Sequence, residues 1–282
     1  MQHQIIRRER DVSFLEKQAR LVRVEILKML SLAGSGHTGG SLSAADIVTV
    51  LYFSKMRHRP HEPMWKERDR FILSKGHAAP LLYAVLAMTG YFDISVLKTL
   101  RKLGSPLQGH PCSRLLPGVE ISTGSLGQGL SVSNGIALGL KLDNLSSRVY
   151  CLLGDGEIQE GQVWEAAMTA AHYRLDNLCA IIDLNGLQID GPVSQVKAIE
   201  PVDSKWLAFG WHVIKIDGHN MAEILNSLDE VERVKEKPTV IIAHTIKGKG
   251  VSFFEGKVEY HGIAPTKEEL MKALKELSEE GG

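Results

Sequence analysis

The sequence predicts an α/β fold, a single doubly wound domain whose mainly parallel sheet carries helices on both faces. Three observations lead there. The runs "RVYCLLG", "NLCAIIDLN", "WHVIKID" and "PTVIIAHTI" are rich in β-branched and apolar residues, as strands buried on both faces must be. Helical stretches such as "QVWEAAMTAAHYR" and "MAEILNSLDEVERVKE" alternate with them, the order expected of a parallel sheet with crossover helices. No internal repeat or low-complexity linker interrupts the pattern, so residues 1–282 read as one domain.

The elements follow in order. Leu15, Ala19, Val22, Ile26, Met29 and Leu30 recur at spacings of four and three, which predicts an N-terminal helix over about 12–33. The glycines of "AGSGHTGG" end it. A second helix is expected over about 43–53, with Ser43 as its cap. "RFILSKGH" reads as a short strand and turn, "AAPLLYAVLAM" as a helix, and residues 104–124 as a long Gly- and Pro-rich loop. "GQGLSVSNGIALGLKL" is helical in spite of its glycines, and the alternating strands and helices already quoted come next. "TKEELMKALKELSEE" predicts an amphipathic closing helix over about 266–280.

Composition limits the function. Lys and Arg together number 33, as do Asp and Glu, so the net charge is zero and no general nucleic-acid or anionic-membrane surface is indicated. No window is long and apolar enough for a membrane span. The N-terminal stretch lacks the apolar core of a signal peptide and mixes its arginines with acids. Cys112, Cys151 and Cys179 are odd in number and lack metal-binding spacing, which fits a reducing, cytoplasmic setting.

"LLGDGEIQEG" poses the chemical question, because a buried strand needs no aspartate at its tip. In an open parallel sheet, ligands gather beyond the carboxyl ends of the strands. "LLGDGE" delivers Asp155 there and "IIDLNGLQIDG" delivers Asn185, thirty residues on, across one crossover helix. A carboxylate and a side-chain amide, with or without a backbone carbonyl, make a hard oxygen set suited to Mg²⁺ or Ca²⁺. Gly156 lets the backbone approach a phosphate where a helix begins. The alternative is that Asp155 caps the helix and Asn185 fills a turn.

These stretches, with "GSGHTGG", "DRFILSKGHAAPLLYA", "GHP", "STGSLGQGLSVSNGIALG", "HTIKGKG" and "YHGIAP" in the same order, resemble the transketolase family over about residues 12–266. The resemblance implies the diphosphate-binding domain of the thiamine diphosphate fold, and transfer of a two-carbon ketol unit from a ketose phosphate to an aldose phosphate. It implies that Asp155, Asn185 and the Leu187 carbonyl bind Mg²⁺, and that Gly156, Glu157 and Asn185 belong to the cofactor site. Lys75, His77, Lys247 and His261 are expected to face the diphosphate or the reacting centre. Gly124 and Leu126 are expected to line the aminopyrimidine and thiazolium. His37 and His110 are expected to meet sugar hydroxyls.

The imidazoles suit the chemistry, since making and breaking ketose carbon–carbon bonds moves protons at hydroxyl oxygens. Each of the four sits in or beside a glycine turn, where a plain surface histidine is the alternative; His3, His58 and His61, in charged or Pro-flanked contexts, are assigned nothing and expected to be exposed. Glu160 and Glu165 are placed by the resemblance at an interface between paired sites. Glu160 could equally favour a helix N-terminus. Glu165 stands among Trp164, Ala166, Ala167 and Met168, where an exposed carboxylate is not expected, although a solvated helix face remains open.

Thr38 stands where long-chain transketolases usually have Pro, and Cys112 where an acid is common; both bear on substrate preference. The resemblance also implies a pyrimidine-binding domain bearing the glutamate that activates the cofactor, for which this sequence offers no position. The chain is therefore expected to act with a C-terminal transketolase subunit, two copies of each. Rival readings are a non-catalytic regulatory thiamine diphosphate-binding subunit, a Mg²⁺-dependent phosphate-ester enzyme, and a deoxyxylulose phosphate synthase-like or 2-oxoacid dehydrogenase subunit.

Overall fold

A computed structural model describes residues 10–279. The first helix, α1 (Val12–Ala33), begins where the Asp11 carboxylate accepts the Ser13 N–H at 2.9 Å, and ends where Gly34 adopts φ 65°. Helices α2 (Thr38–Ser43) and α3 (Ala45–Val50) follow, the latter running into a wider turn over Leu51–Lys55. Ser43 is therefore the last residue of α2 rather than the cap of a helix. Its hydroxyl instead donates to the Asp183 carboxylate at 2.6 Å, a partner 140 residues away.

Strand β1 (Arg70–Leu73) leads to α4 (Ala79–Met88), and after a long irregular stretch α5 (Gln128–Leu142) precedes β2 (Val149–Gly154). Then come α6 (Gly161–His172) and β3 (Leu178–Leu184). A small antiparallel hairpin, β4 (Leu187–Gln188) and β5 (Gly191–Pro192), passes into α7 (Val193–Val196) and α8 (Val202–Ala208). The chain continues through β6 (His212–Asp217), α9 (Met221–Arg233), β7 (Thr239–His244) and α10 (Lys267–Glu279). The hairpin, α7 and α8 were not expected. Their segments are too short to establish a period, and α8 is held by burial of Trp206.

The five long strands pair in the order β1-β2-β3-β7-β6, every pair parallel. Side chains alternate across the sheet. Phe71, Leu73, Tyr150, Leu152, Cys179, Ile181, Ile241 and Ala243 join α1, α3, α4 and α9 in one core. Ile72, Val149, Cys151, Leu153, Ala180, Ile182, Val240 and Ile242 join α5, α6 and α8 in the other. This is the doubly wound arrangement the strand runs predict, and it places the carboxyl ends of β1, β2, β3 and β7 side by side.

A second expectation is corrected. His58 is 2% exposed rather than solvated: its Nε2 donates to the Tyr52 carbonyl at 2.8 Å and its ring stacks on Tyr91. The charges flanking it turn elsewhere, Arg57 to Asp69 and Arg59 over the Trp65 ring. His3 lies outside the described residues.

Candidate functional site

A cleft of about 340 Å³ opens beyond the carboxyl edge of the sheet. Four of the five sheet strands contribute to it at their ends. The turn after β1 brings Lys75 and His77, the end of β2 brings Asp155, Gly156 and Glu157, the end of β3 brings Asn185 and Leu187, and the turn after β7 brings Lys247. Loops complete the wall with His37 ahead of α2, Gly124 and Leu126 ahead of α5, and His261 near the C-terminal helix. Gly124 has φ +151°, and a Cβ there would stand 3.1 Å from the His110 ring, so glycine alone lets this loop pass so close.

Beneath the cleft lies a polar floor. Asp183, 0% exposed within β3, pairs with the Lys75 ammonium and accepts from Thr245 Oγ1, from Ser43 Oγ at 2.6 Å and from Asn185 Nδ2 at 3.3 Å. Burial pushes this carboxyl up, but Lys75 and the hydroxyl donors outweigh it and hold it below the ordinary range. The donors thus fix Asn185 and Lys75 on one rigid carboxylate.

Four imidazoles cluster above. Ring centroids lie 5.2 Å apart for His37 and His77, 5.7 Å for His37 and His261, 5.3 Å for His77 and His261, and 6.3 Å for His37 and His110. Burial, reinforced by Arg101 and His110, lowers His37 to about 4; burial and Lys247 lower His261 to about 3. Burial and Lys75 push His77 well down, and burial and Arg101 lower His110. All four are neutral near pH 7, each keeping one bare ring nitrogen, which in His261 is the Nδ1 that faces the Lys247 ammonium. The Nδ1 of His37 is buried and has no hydrogen-bond partner among the described residues. Burial and Lys75 lower Lys247 to about 8; its ammonium donates to the Leu187 carbonyl at 3.0 Å and meets His261 Nδ1 at 2.8 Å.

The candidate metal donors adjoin this cationic wall. Asp155 accepts the Gly156 N–H at 2.7 Å and the Gly186 N–H at 2.5 Å, and burial together with the Asp183 charge pushes it up to about 6. A cation there would relieve that penalty. Among the described residues no three His, Cys, Asp or Glu side chains gather as a metal site. The available set is one carboxylate, the Asn185 amide oxygen and the Leu187 carbonyl, a hard all-oxygen chemistry that fits Mg²⁺ completed by phosphate and water.

Known proteins share this fold. The family described as transketolase, thiamine diphosphate binding domain, matches residues 15–279. The chain belongs to the transketolase family. It is 47% identical over 267 residues to the 6-deoxy-6-sulfo-D-fructose transketolase subunit SqwG of a Clostridium species, covering 95% of this chain and 97% of that one. It is 42% identical to one of the subunits of the apulose-4-phosphate transketolase of Phocaeicola vulgatus, covering 95% of both. A crystal structure of transketolase from Campylobacter jejuni superposes with a TM-score of 0.90 at 37% identity, over 95% of this chain and 43% of that one. The chain thus spans less than half of a long-chain transketolase and is homologous to the thiamine diphosphate-binding subunits of split transketolases. Family membership implies the thiamine diphosphate and Mg²⁺ use typical of transketolases.

Among the expected transketolase site residues, His37, Lys75, His77, Gly124, Leu126, Asp155, Gly156, Glu157, Glu160, Asn185, Leu187, Lys247 and His261 all line the one cleft. His110 stands behind Gly124 beside His37. Glu157 turns inward: its carboxylate accepts from Ser74 Oγ, from Gly127 N at 3.0 Å and from Gly154 N at 2.9 Å, stitching the ends of β1 and β2 to the start of α5. Glu165 lies away from the cleft on the exposed face of α6, because Val163, Ala166, Ala167 and Ala170 form the buried stripe of that helix. Asp183, Ser74 and Thr245 were missed. A carboxylate inside the apolar run "CAIIDL" was the available signal for Asp183.

Proposed function

We propose that this chain is the diphosphate-binding subunit of a two-chain cytoplasmic transketolase, transferring a two-carbon ketol unit from a ketose phosphate to an aldose phosphate. The observation that carries the reading is the single cleft in which an all-oxygen donor set, two lysines and a cluster of neutral histidines converge on adjacent strand ends. Asp155, Asn185 and the Leu187 carbonyl would hold Mg²⁺, and Lys247 with the Gly156 backbone would hold the anionic end of thiamine diphosphate. The chemistry that this cofactor supplies is an electron sink for breaking and forming carbon–carbon bonds beside a carbonyl.

The chain's own groups orient and move protons. His37 and His110 would receive sugar hydroxyls near the mouth. His77, kept neutral by burial and by Lys75, would accept a hydroxyl proton and return it, while His261, whose Nδ1 takes the Lys247 ammonium, would donate its Nε2–H to a substrate oxygen. Two similar proteins are named for sugars bearing a sulfonate or a phosphate, which supports an anionic sugar as substrate.

Those similar chains of matching length are named as subunits, so the pyrimidine-binding domain is assigned to a second chain, two copies of each forming a symmetric assembly. The test is to isolate the chain that copurifies and to assay the pair for glycolaldehyde-unit transfer. Transfer by the pair, with the single chain inactive, is expected. Full catalysis by this chain free of any partner would overturn the two-chain reading, and cofactor binding by an inactive pair would favour a regulatory subunit.

A further inference from the structure

The turn that carries Lys247 is held from behind by three side chains that do not line the cleft, two of them buried and the third, His219, partly buried. Arg23 on α1 and Asp46 on α3, both about 5% exposed, form a two-pronged pair with Nη1–Oδ1 at 2.8 Å and Nη2–Oδ2 at 2.7 Å. His219, beyond the end of β6, brings its Nδ1 to the same Asp46 carboxylate at 2.7 Å. Both outer ends of this triad reach the lysine turn. The Ile246 N–H donates to His219 Nε2 at 2.8 Å, and Arg23 Nε donates to the Lys249 carbonyl at 3.0 Å.

The hydrogen-bond directions decide the state of the ring. A backbone N–H can only donate, so His219 Nε2 must be the bare nitrogen and Nδ1 must carry the proton to Asp46. The Asp46 carboxylate, anchored by Arg23, therefore sets the tautomer that accepts Ile246. The turn is fixed at residue 246 on one side and residue 249 on the other, with Lys247 between. Across it the Gly248 N–H donates to the Gly39 carbonyl at 3.1 Å, tying the same turn to α2.

We infer that His219, set by Asp46 and Arg23, is a positioning residue for Lys247, fixing the ammonium at the anion end of the cleft. The inference rests on the reading of that cleft as a diphosphate site. Partners that orient a ligand from outside its contact shell are typically worth about ten- to a hundredfold in affinity or activity. His219→Leu is expected to weaken binding on that scale. His219→Gln, whose amide can donate to Asp46 and accept from Ile246, is expected to stay within about threefold of wild type.

The experiment is calorimetric titration of the full chain with magnesium diphosphate, alongside Lys247→Met. Backbone hydrogen exchange at Ile246 is measured in the same variants, and the ¹⁵N shifts of His219 in the wild-type chain. The expected pattern is weak binding by His219→Leu and Lys247→Met, near-normal binding by His219→Gln, and fast exchange of the Ile246 amide in His219→Leu only. Wild-type binding by Lys247→Met would overturn the reading of the cleft. Weak binding by Lys247→Met with wild-type binding by a folded His219→Leu would overturn the positioning role. If His219→Leu fails to fold, the wild-type shifts decide: a protonated Nε2 would overturn the inference, and a bare Nε2 with a rescued Gln variant would support it.

Discussion

Lys75 and Asp183 form an ion pair wholly inside the protein, 1% and 0% exposed, directly under the cleft. Both charges are desolvated, so the pair is held by geometry and by the additional donors Ser43, Thr245 and Asn185. Removing one partner leaves the other charge buried without its counterion. Lys75→Met is therefore expected to destabilise the fold by about 3–5 kcal/mol, read from urea unfolding of the full chain. A loss within ordinary surface-mutation scatter would show that the pair contributes nothing.

The metal reading makes a separate prediction. Asp155→Ala and Asn185→Ala should each weaken joint binding of Mg²⁺ and thiamine diphosphate while leaving far-ultraviolet circular dichroism unchanged. Asp155→Ala should be the more severe, since it removes the sole carboxylate of the set. Equal affinity in wild type and both variants, measured in the assembled enzyme, would remove Mg²⁺ from this site.

Proton transfer is tested at the histidines. His37→Ala and His261→Ala are expected to reduce turnover by about a hundred- to ten-thousandfold, with much smaller effects on unfolding midpoints. Neither ring packs in the apolar cores. Wild-type turnover at saturating donor and acceptor would make the altered histidine a bystander.

His58 supplies a pH test remote from the cleft. Burial depresses its folded-state value below the ordinary 6.5, although the Tyr52 carbonyl and Asp69 act in the opposite sense. The unfolded chain then binds a proton that the native ring refuses, so stability is full above pH 6.5 and falls as the pH drops towards the depressed value. Replacing it by Phe should lessen, without abolishing, the loss of stability as the pH falls below 6.5, because the depressed cleft histidines act in the same sense. An unchanged slope in that window would assign the loss to other groups.

Much of the site was legible because its residues sit at boundaries that leave a local mark. Asp155 ends an apolar run between two glycines, Asn185 follows the next strand, and His37, His77, His110 and His261 stand at glycine turns. The exposure of Glu165 was hidden by its four neighbours, because the three-to-four-residue stripe of α6 runs through Val163, Ala166, Ala167 and Ala170; the exposed face it occupies is open to the interface that the resemblance implies.

The sequence by itself determined the alternation of strands and helices, and with it the edge of the sheet where a ligand site had to form. Period and turn chemistry are local, acting over a few neighbouring residues. Only the tertiary structure decided that Ser43 would leave a capping role for Asp183, that His58 would enter the core, and that Arg23, Asp46 and His219 would meet behind Lys247. The contacts of Ser43 with Asp183, of Asp46 with His219 and of Arg23 with Lys249 join residues 140, 173 and 226 positions apart. A buried polar group must find a partner wherever folding brings one within about 3 Å, and no local pattern in the chain records which one that will be.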